Sequence, residues 1–224
     1  LIFDSIEYLK SKVKEVFFDA EHFFDGFKDN ANYALKVLEK AQEAKADKII
    51  LCDTNGGTLS DEIIKIVKEV KKIITVPLGI HTHNDSDLAV ANSLVAVQAG
   101  VSQIQGTING YGERCGNANL CSIIPNLKLK LNINCITEQN LKELTNVSIF
   151  ISELANLSPL KSQPFVGTSA FAHKGGIHVD AINKESRSYE HIQPQLVGNT
   201  QRVLISELSG KSNVLYKAAL YNLG

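Results

Sequence analysis

The chain has little net charge, no long apolar run and no closely paired cysteines, and each absence narrows its possible functions. The formal charge is −1 over 224 residues, so bulk electrostatics gives no reason to expect binding to nucleic acid or to an anionic membrane. No apolar run approaches the roughly 20 residues of a membrane-spanning helix, and no signal peptide is visible in the sequence. The four cysteines form no Cys-x-x-Cys pair. We therefore expect a reduced, cytoplasmic protein whose cysteines are small buried side chains.

Strand and helix patterns alternate along the first half of the chain. Short apolar runs rich in Val and Ile predict strands, and apolar residues spaced three or four apart predict the helices between them. Ser60 is expected to cap one helix and Gly100 to end another. The predicted strands are 16–20, 48–53, 76–80 and 102–108, and the predicted helices are 1–12, 31–44, 60–72, 87–99 and 117–124.

Polar residues follow each of the four predicted strands. In parallel α/β folds the chemistry gathers at the carboxyl ends of the strands, and four successive polar strand ends favour the mouth of a barrel. A (β/α)8 barrel needs eight such units, typically about 250 residues, whereas only four are visible here. We therefore predict an α/β fold that comprises the C-terminal half of a TIM barrel. Because the chain opens on Leu1 inside a helical pattern, we expect it to be a fragment.

After residue 136 the pattern changes. Residues 138–157 predict a helix, residues 158–169 resemble a linker, and the remainder lacks further strand–helix units. We therefore expect a partial barrel over 1–136 and small, mostly helical subdomains over 137–224.

The segment His81-Thr82-His83 is the clearest chemical signal. If residues 76–80 form a strand, His81 and His83 point to the same side, because strand side chains alternate between faces. Two imidazoles on one side at a strand end are suited to hold one divalent metal ion.

Four motifs together resemble those of the 2-isopropylmalate, homocitrate and citramalate synthases, and the citramalate synthase branch most of all. They are Asp53-Thr54-Asn55-Gly56, His81-Thr82-His83-Asn84-Asp85, Gly110-Tyr111-Gly112-Glu113-Arg114-Cys115-Gly116-Asn117 and His173-Lys174-Gly175-Gly176-Ile177-His178. This resemblance implies a TIM-barrel enzyme that joins acetyl-CoA to a 2-oxo acid with the help of Mn²⁺, Mg²⁺ or Zn²⁺. It further implies a homodimer and a place in branched-chain amino-acid biosynthesis.

The resemblance also implies residue roles. His81, His83 and Asn117 would bind the metal ion, and Thr54 would bind the substrate carboxylate. Glu21 would lie near the acetyl group, and His178 and Tyr189 would form a catalytic pair that completes a neighbouring subunit's site. The family's remaining ligand, an Asp of an Arg-Asp motif on the first barrel strand, has no counterpart in this chain.

Other interpretations stay open at this point. The substrate could be 2-oxoisovalerate, as in 2-isopropylmalate synthases. A metal-dependent aldolase or lyase of related barrel type would share the strand-end histidines, although it would not need the module around His178. An inactive fragment is a third interpretation, since half a barrel leaves open sheet edges that invite pairing with a second copy. Glu113 and Arg114 are expected to form a structural ion pair.

Overall fold

The fold comes from a computed structural model that describes residues 1–174, 181, 185, 188–205, 210, 213–215, 218 and 221–222. The chain divides into two compact units, Leu1–Ile123 and Ile124–Gly224. Within the described residues, no helix is both long and apolar enough to cross a membrane. The predicted residue His178 lies outside the described part of the chain. The sequence-based domain boundary at 136/137 stays a prediction.

The first unit is built on a four-stranded parallel sheet in the order β1-β2-β3-β4. Its strands are β1 (Phe17–Ala20), β2 (Lys48–Asp53), β3 (Leu78–Thr82) and β4 (Gln103–Gln105), and its helices are α1 (Ile2–Lys10), α2 (Phe23–Glu43), α3 (Ser60–Val70) and α4 (Ala89–Gln98). Successive parallel neighbours joined by helices are the arrangement of half a (β/α)8 barrel. The predicted fold class is confirmed.

The two faces of the sheet have different partners. Ile49, Leu51 and Ile80 are fully buried in the core cluster that the sheet forms with its helices. Alternate residues point to the other face, where Ile50 lies opposite Gly79 in register. A Cβ atom on Gly79 would collide with Ile50 Cδ1, so a larger residue there would require the Ile50 side chain to move. This second face is the one on which His81 also lies, two residues further along β3.

The sheet is strongly curved. Gln105 Nε2 of β4 donates to Asp19 Oδ1 of β1 at 3.2 Å, although two strands lie between them. In a flat sheet, strands spaced about 4.8 Å apart would place β1 and β4 roughly 14 Å from each other, too far for an Asp and a Gln to meet. The bond therefore runs across a concave face, as the interior of a barrel requires.

Several helix boundaries differ from the predicted ones. Ser60 does not cap α3: the N-cap is Leu59, whose N–H donates to Glu62 Oε2 at 3.1 Å, while the Ser60 hydroxyl donates to Asn92 Oδ1 at 2.7 Å. Helix α2 begins at Phe23, eight residues before the predicted start, and its backbone is non-helical at Asn30. Asn30 Oδ1 accepts from the N–H of Tyr33, so it caps the second part of α2. Gly100 follows α4 at φ +104°, as a helix-ending glycine does.

Three further predictions need correction. Strand β4 ends at Gln105, after which Ile108–Gly110 forms a 3-10 turn in which Asn109 has φ +64°. Helix α5 (Leu120–Pro125) begins three residues later than predicted and a π-helical turn, Asn126–Lys130, follows it. The long helix predicted over 138–157 is two helices, α6 (Glu138–Leu141) and α7 (Leu144–Leu154).

Between residues 131 and 205, the described part of the second unit contains short elements besides α6 and α7. Strand β5 (Ala172–His173) pairs in parallel with β6 (Arg202–Val203), and Pro194–Val197 forms a 3-10 turn. Residues 158–169 carry no helix or strand, yet Phe165 and Val166 within them are buried. The buried Asn199 secures this segment by donating from Nδ2 to the carbonyl oxygens of Phe165 and Gly167, at 2.9 and 3.0 Å.

Candidate metal and substrate site

The two histidines of β3 meet as their spacing predicts. His81 Nε2 lies 3.3 Å from His83 Nε2, and the ring centroids are 5.1 Å apart. Two nitrogen ligands held about 2.0–2.1 Å from one metal ion, at angles between octahedral and tetrahedral, would be roughly 2.9–3.4 Å apart. The observed separation therefore suits two ligands of a single ion.

Asn117 lies directly beside His83. The two residues form an isolated antiparallel bridge, flanked by hydrogen bonds from Ala118 N to Thr82 O and from Asn84 N to Gly116 O. This pattern makes them a non-hydrogen-bonded pair, the kind that brings two side chains closest on one face. Residues that are neighbours only in the folded chain thus place an amide next to an imidazole.

The Asn117 side chain has a buried oxygen that nothing satisfies. Asn117 Oδ1 has no hydrogen-bond partner among the described residues, and a buried unpaired carbonyl is costly unless a ligand or an ion occupies it. The amide rests against Gly112, where an added Cβ would lie 2.8 Å from Oδ1. Two imidazole nitrogens and one orphaned amide oxygen are a donor set that fits a divalent metal ion.

Burial favours the neutral form of His83. It lowers the pKa of His83 below its usual range, and the positive charge of Arg114 adds to that fall, while the Asp85 carboxylate opposes it. A neutral imidazole is the form that binds metal. Among the described residues, no group of three or more His, Cys, Asp or Glu side chains is placed to hold a metal ion, here or elsewhere, so the donor set at this site is two imidazoles and one amide.

Thr54 and Glu21 contact each other at the neighbouring strand ends. The Thr54 hydroxyl donates to Glu21 Oε2 at 2.8 Å and accepts from the backbone N–H of His22 at 2.8 Å. The hydroxyl of Thr54, which is predicted to bind the substrate carboxylate, is therefore already hydrogen-bonded to Glu21. A substrate carboxylate bound by Thr54 would compete with Glu21 for that hydroxyl.

Arg114 ties together three loops that follow β2, β3 and β4. Its guanidinium donates to both carboxylate oxygens of Asp85, at 2.7 and 2.9 Å, and to the carbonyl oxygen of Thr54 at 2.7 Å. Glu113 lies 3.9 Å away from it. The expected ion pair between Glu113 and Arg114 is thus longer than the contact between Arg114 and Asp85. The sequence did not predict Asp85 as the main partner of Arg114.

Asp53 anchors the turn between β2 and α3. Its carboxylate is buried and accepts from the Thr58 hydroxyl at 2.7 Å, and its carbonyl oxygen accepts from the N–H of His83 at 3.2 Å. Burial raises the pKa of Asp53, while the bond from Thr58 opposes that rise. Asp53 therefore supports the backbone at His83.

The cysteines divide into two pairs. Cys52 and Cys121 are buried, as expected, whereas Cys115 and Cys135 are exposed. The expectation that all four are buried is wrong for these two, because both stand in irregular loop segments. Tyr189, in the second unit, is 46 % exposed, and its predicted catalytic role stays a prediction.

Comparison with known proteins identifies the family. Residues 2–151 match the HMGL-like family and residues 165–224 match the homocitrate synthase post-HMGL domain-like family. The chain therefore belongs to the HMGL-like family.

Curated relatives place the similarity more finely. The (R)-citramalate synthase of Geobacter sulfurreducens is 64% identical over 100% of this chain and 42% of the relative, and that of Aquifex aeolicus is 56% identical over 97% and 41%. The 2-isopropylmalate synthase of Methanocaldococcus jannaschii is 36% identical over 99% and 41%. The predicted resemblance to the citramalate synthase branch is confirmed. The chain spans about 42% of the length of the first of these relatives.

Solved structures agree with the fold. An HMG-CoA lyase of Bacillus subtilis superposes with a TM-score of 0.52 at 22% identity, covering 59% of this chain and 45% of the lyase. The carboxyl transferase domain of Rhizobium etli pyruvate carboxylase also gives 0.52, at 19% identity, with 63% and 24% covered. At such identities the likeness concerns the fold alone.

Proposed function

We propose that the protein to which this chain belongs is an acyltransferase that condenses acetyl-CoA with pyruvate and water to give (R)-citramalate and free CoA. The observation that carries the proposal is the 3.3 Å approach of His81 Nε2 to His83 Nε2, next to Asn117, which bridges His83 and has an orphaned buried amide oxygen. The 46–64% identity to five (R)-citramalate synthases supports pyruvate over other 2-oxo acids.

In this proposal His81, His83 and Asn117 hold a divalent ion, of which Mn²⁺, Mg²⁺ and Zn²⁺ suit the donor set. When bound, the ion supplies Lewis acidity at the keto group of the 2-oxo acid. The three residues contribute by fixing donors on a rigid strand end, which keeps the reacting keto carbon in one orientation.

Thr54 and Glu21 act on the two substrates. The Thr54 hydroxyl is already oriented by the backbone N–H of His22. On substrate binding it would donate its hydrogen bond to the carboxylate of the 2-oxo acid instead of to Glu21. Glu21, released from Thr54, would then face the acetyl group. His178 and Tyr189 are proposed as a further catalytic pair that completes the site of a partner in a homodimer.

The test is release of free thiol from acetyl-CoA by the intact protein, supplied with Mn²⁺ and with pyruvate or 2-oxoisovalerate in parallel. Release with pyruvate and none with 2-oxoisovalerate would support the proposal. Release with 2-oxoisovalerate alone would favour 2-isopropylmalate synthesis instead, and no release with either would overturn the condensing function.

Matched variants connect this activity to the site. H81A and H83A should abolish both Mn²⁺ binding and thiol release. H22Q removes an exposed imidazole at a neighbouring strand end while it keeps the backbone N–H that Thr54 uses, so it should retain full metal stoichiometry. Loss of metal binding in H22Q, or its retention in H81A, would contradict the assignment.

A further inference from the structure

A hydrogen-bonded chain leads away from the metal-site histidines across the concave face of the sheet. His81 Nδ1 lies 2.9 Å from Gln105 Oε1 of β4. Gln105 Nε2 in turn lies 3.2 and 3.3 Å from the two carboxylate oxygens of Asp19 on β1. Neither Gln105 nor Asp19 belongs to the donor set described above, so their function in the site is unassigned.

The chemistry of these groups fixes the direction of every bond in the chain. A carboxylate only accepts hydrogen bonds, so the NH2 group of Gln105 must face Asp19. The amide oxygen of Gln105 is then turned towards His81. Because that oxygen also only accepts, Nδ1 of His81 must carry the proton.

In the neutral imidazole, a proton on Nδ1 leaves Nε2 of His81 with its lone pair free. In the opposite tautomer, Nδ1 and the amide oxygen would be two acceptors facing each other 2.9 Å apart, which is unfavourable. The lone pair of Nε2 points to His83 Nε2, 3.3 Å away, where the proposed metal ion would bind. An imidazole binds a metal through its unprotonated nitrogen, and a partner on the other nitrogen sets which one that is.

We infer that Gln105 is a positioning residue that holds His81 in the Nδ1–H tautomer, and that Asp19 keeps the Gln105 amide from turning over. The inference rests on the proposed metal site for its functional meaning, although the tautomer itself is a property of the metal-free protein. Strands β1 and β4 do not pair with each other. In this inference, one residue from each of them orients His81, the proposed metal ligand on β3.

The sequence supplies a matched control on the same strand. Gln103 precedes Gln105 by two residues and so lies on the same face of β4. Its amide oxygen is buried and has no hydrogen-bond partner among the described residues. Replacement of Gln103 by Met therefore changes an amide on this face without touching the chain from Asp19 to His81.

The experiment measures the His81 tautomer directly, by ¹⁵N NMR of the intact, metal-free protein labelled at histidine. The His81 signals are assigned through H81A. Wild type and Q103M should show His81 with Nδ1 protonated and Nε2 unprotonated. Q105M removes the acceptor and should give a mixture of both tautomers.

A double exchange tests the direction of the bonds. D19N combined with Q105E swaps the amide and the carboxylate, so position 105 still accepts from His81 Nδ1 and position 19 now donates to it. This protein should recover the Nδ1–H tautomer that Q105M loses. Persistence of the Nδ1–H form in Q105M, or a mixture in the exchanged protein, would overturn the inference.

Calorimetric titration with Mn²⁺ separates this inference from the proposed function. Loss of a residue that orients a metal ligand typically weakens binding about 10- to 100-fold. We expect such a loss in Q105M, recovery in the exchanged protein and wild-type affinity in Q103M. If wild type binds no Mn²⁺, the metal site fails, and the NMR result on the metal-free protein still decides for or against the tautomer assignment.

Discussion

The guanidinium of Arg114 donates hydrogen bonds to both carboxylate oxygens of Asp85, from Nε and from Nη2. Nη2 also donates to the carbonyl oxygen of Thr54. Arg114 itself has φ +55°, an unusual conformation for a residue other than glycine. The conformation of the loop after β4 thus allows the Arg114 side chain to form hydrogen bonds with the loops after β2 and β3. The positions of Thr54 and of the residues after His83 depend on this contact.

Replacement of Arg114 by Lys should impair catalysis more than folding. Lysine keeps the charge but cannot form the planar two-point contact, so Thr54 would lose its fixed position. Misplacement of a substrate-binding group by about 1 Å can lower the rate 100-fold, and we expect a fall in kcat/KM for pyruvate approaching that size. Steady-state kinetics with a thermal melt checks this; unchanged kinetics in R114K would contradict the role of Arg114.

Gly112 should be sensitive to a single added methyl group. A Cβ there would lie 2.8 Å from both Cγ and Oδ1 of Asn117, whereas a Cβ on Gly57 would meet nothing within 4 Å. We therefore expect G112A to displace the Asn117 amide and weaken Mn²⁺ binding, with G57A as the matched control. Equal Mn²⁺ affinities for the two variants in calorimetry would show that Asn117 does not bind the ion.

Two of the four cysteine thiols should react quickly with a thiol reagent, and the other two should react slowly. Burial raises the pKa of the Cys52 thiol to about 12, with the nearby charges of Glu21 and Asp19 adding to the rise, and Cys121 is also buried. Cys115 and Cys135 are exposed. A thiol-specific chromogenic reagent should therefore modify these two quickly in the folded protein, and C115S with C135S should remove the fast phase. A fast phase that survives both substitutions would contradict the burial of Cys52 and Cys121.

Asp47 should make the stability of the first unit depend on acid pH. Hydrogen bonding to Lys10 and to the N–H of Val16 lowers the pKa of Asp47 below its usual value. A carboxyl whose pKa is lower in the folded state stabilises the fold above its unfolded pKa of about 3.9. That stabilisation is lost as the pH falls through the lower, folded value.

Denaturant unfolding between pH 2 and 6 measures this contribution. The wild type should lose stability towards pH 2 more steeply than D47N, which lacks the titrating group, while the exposed K40Q variant should follow the wild type. Parallel curves for wild type and D47N would refute the assignment.

The isolated 224-residue chain should associate with itself. Among the described residues β1 pairs only with β2 and β4 only with β3, so each outer strand has one unpaired edge, and such edges recruit further strands. We expect a dimer or larger species in light scattering at micromolar concentration. A monodisperse monomer would contradict this prediction.

The sequence predicted those features that depend on short-range periodicity. Alternation along β3 is enough to place His81 and His83 on one face, and four strand–helix repeats are enough to indicate half a barrel. The sequence did not predict contacts made by residues far apart in the chain. Neither the bond between Gln105 and Asp19 nor the pairing of Arg114 with Asp85 follows from spacing. The first depends on the curvature of the folded sheet, and the second on the conformation of the loop after β4.

Anomalous X-ray diffraction from crystals of the intact protein grown with Mn²⁺ tests the central claim most directly. The account predicts one strong anomalous peak about 2.0–2.2 Å from Nε2 of His81, Nε2 of His83 and Oδ1 of Asn117. A peak that lies away from these three atoms, or ligation of His81 through Nδ1, would contradict it.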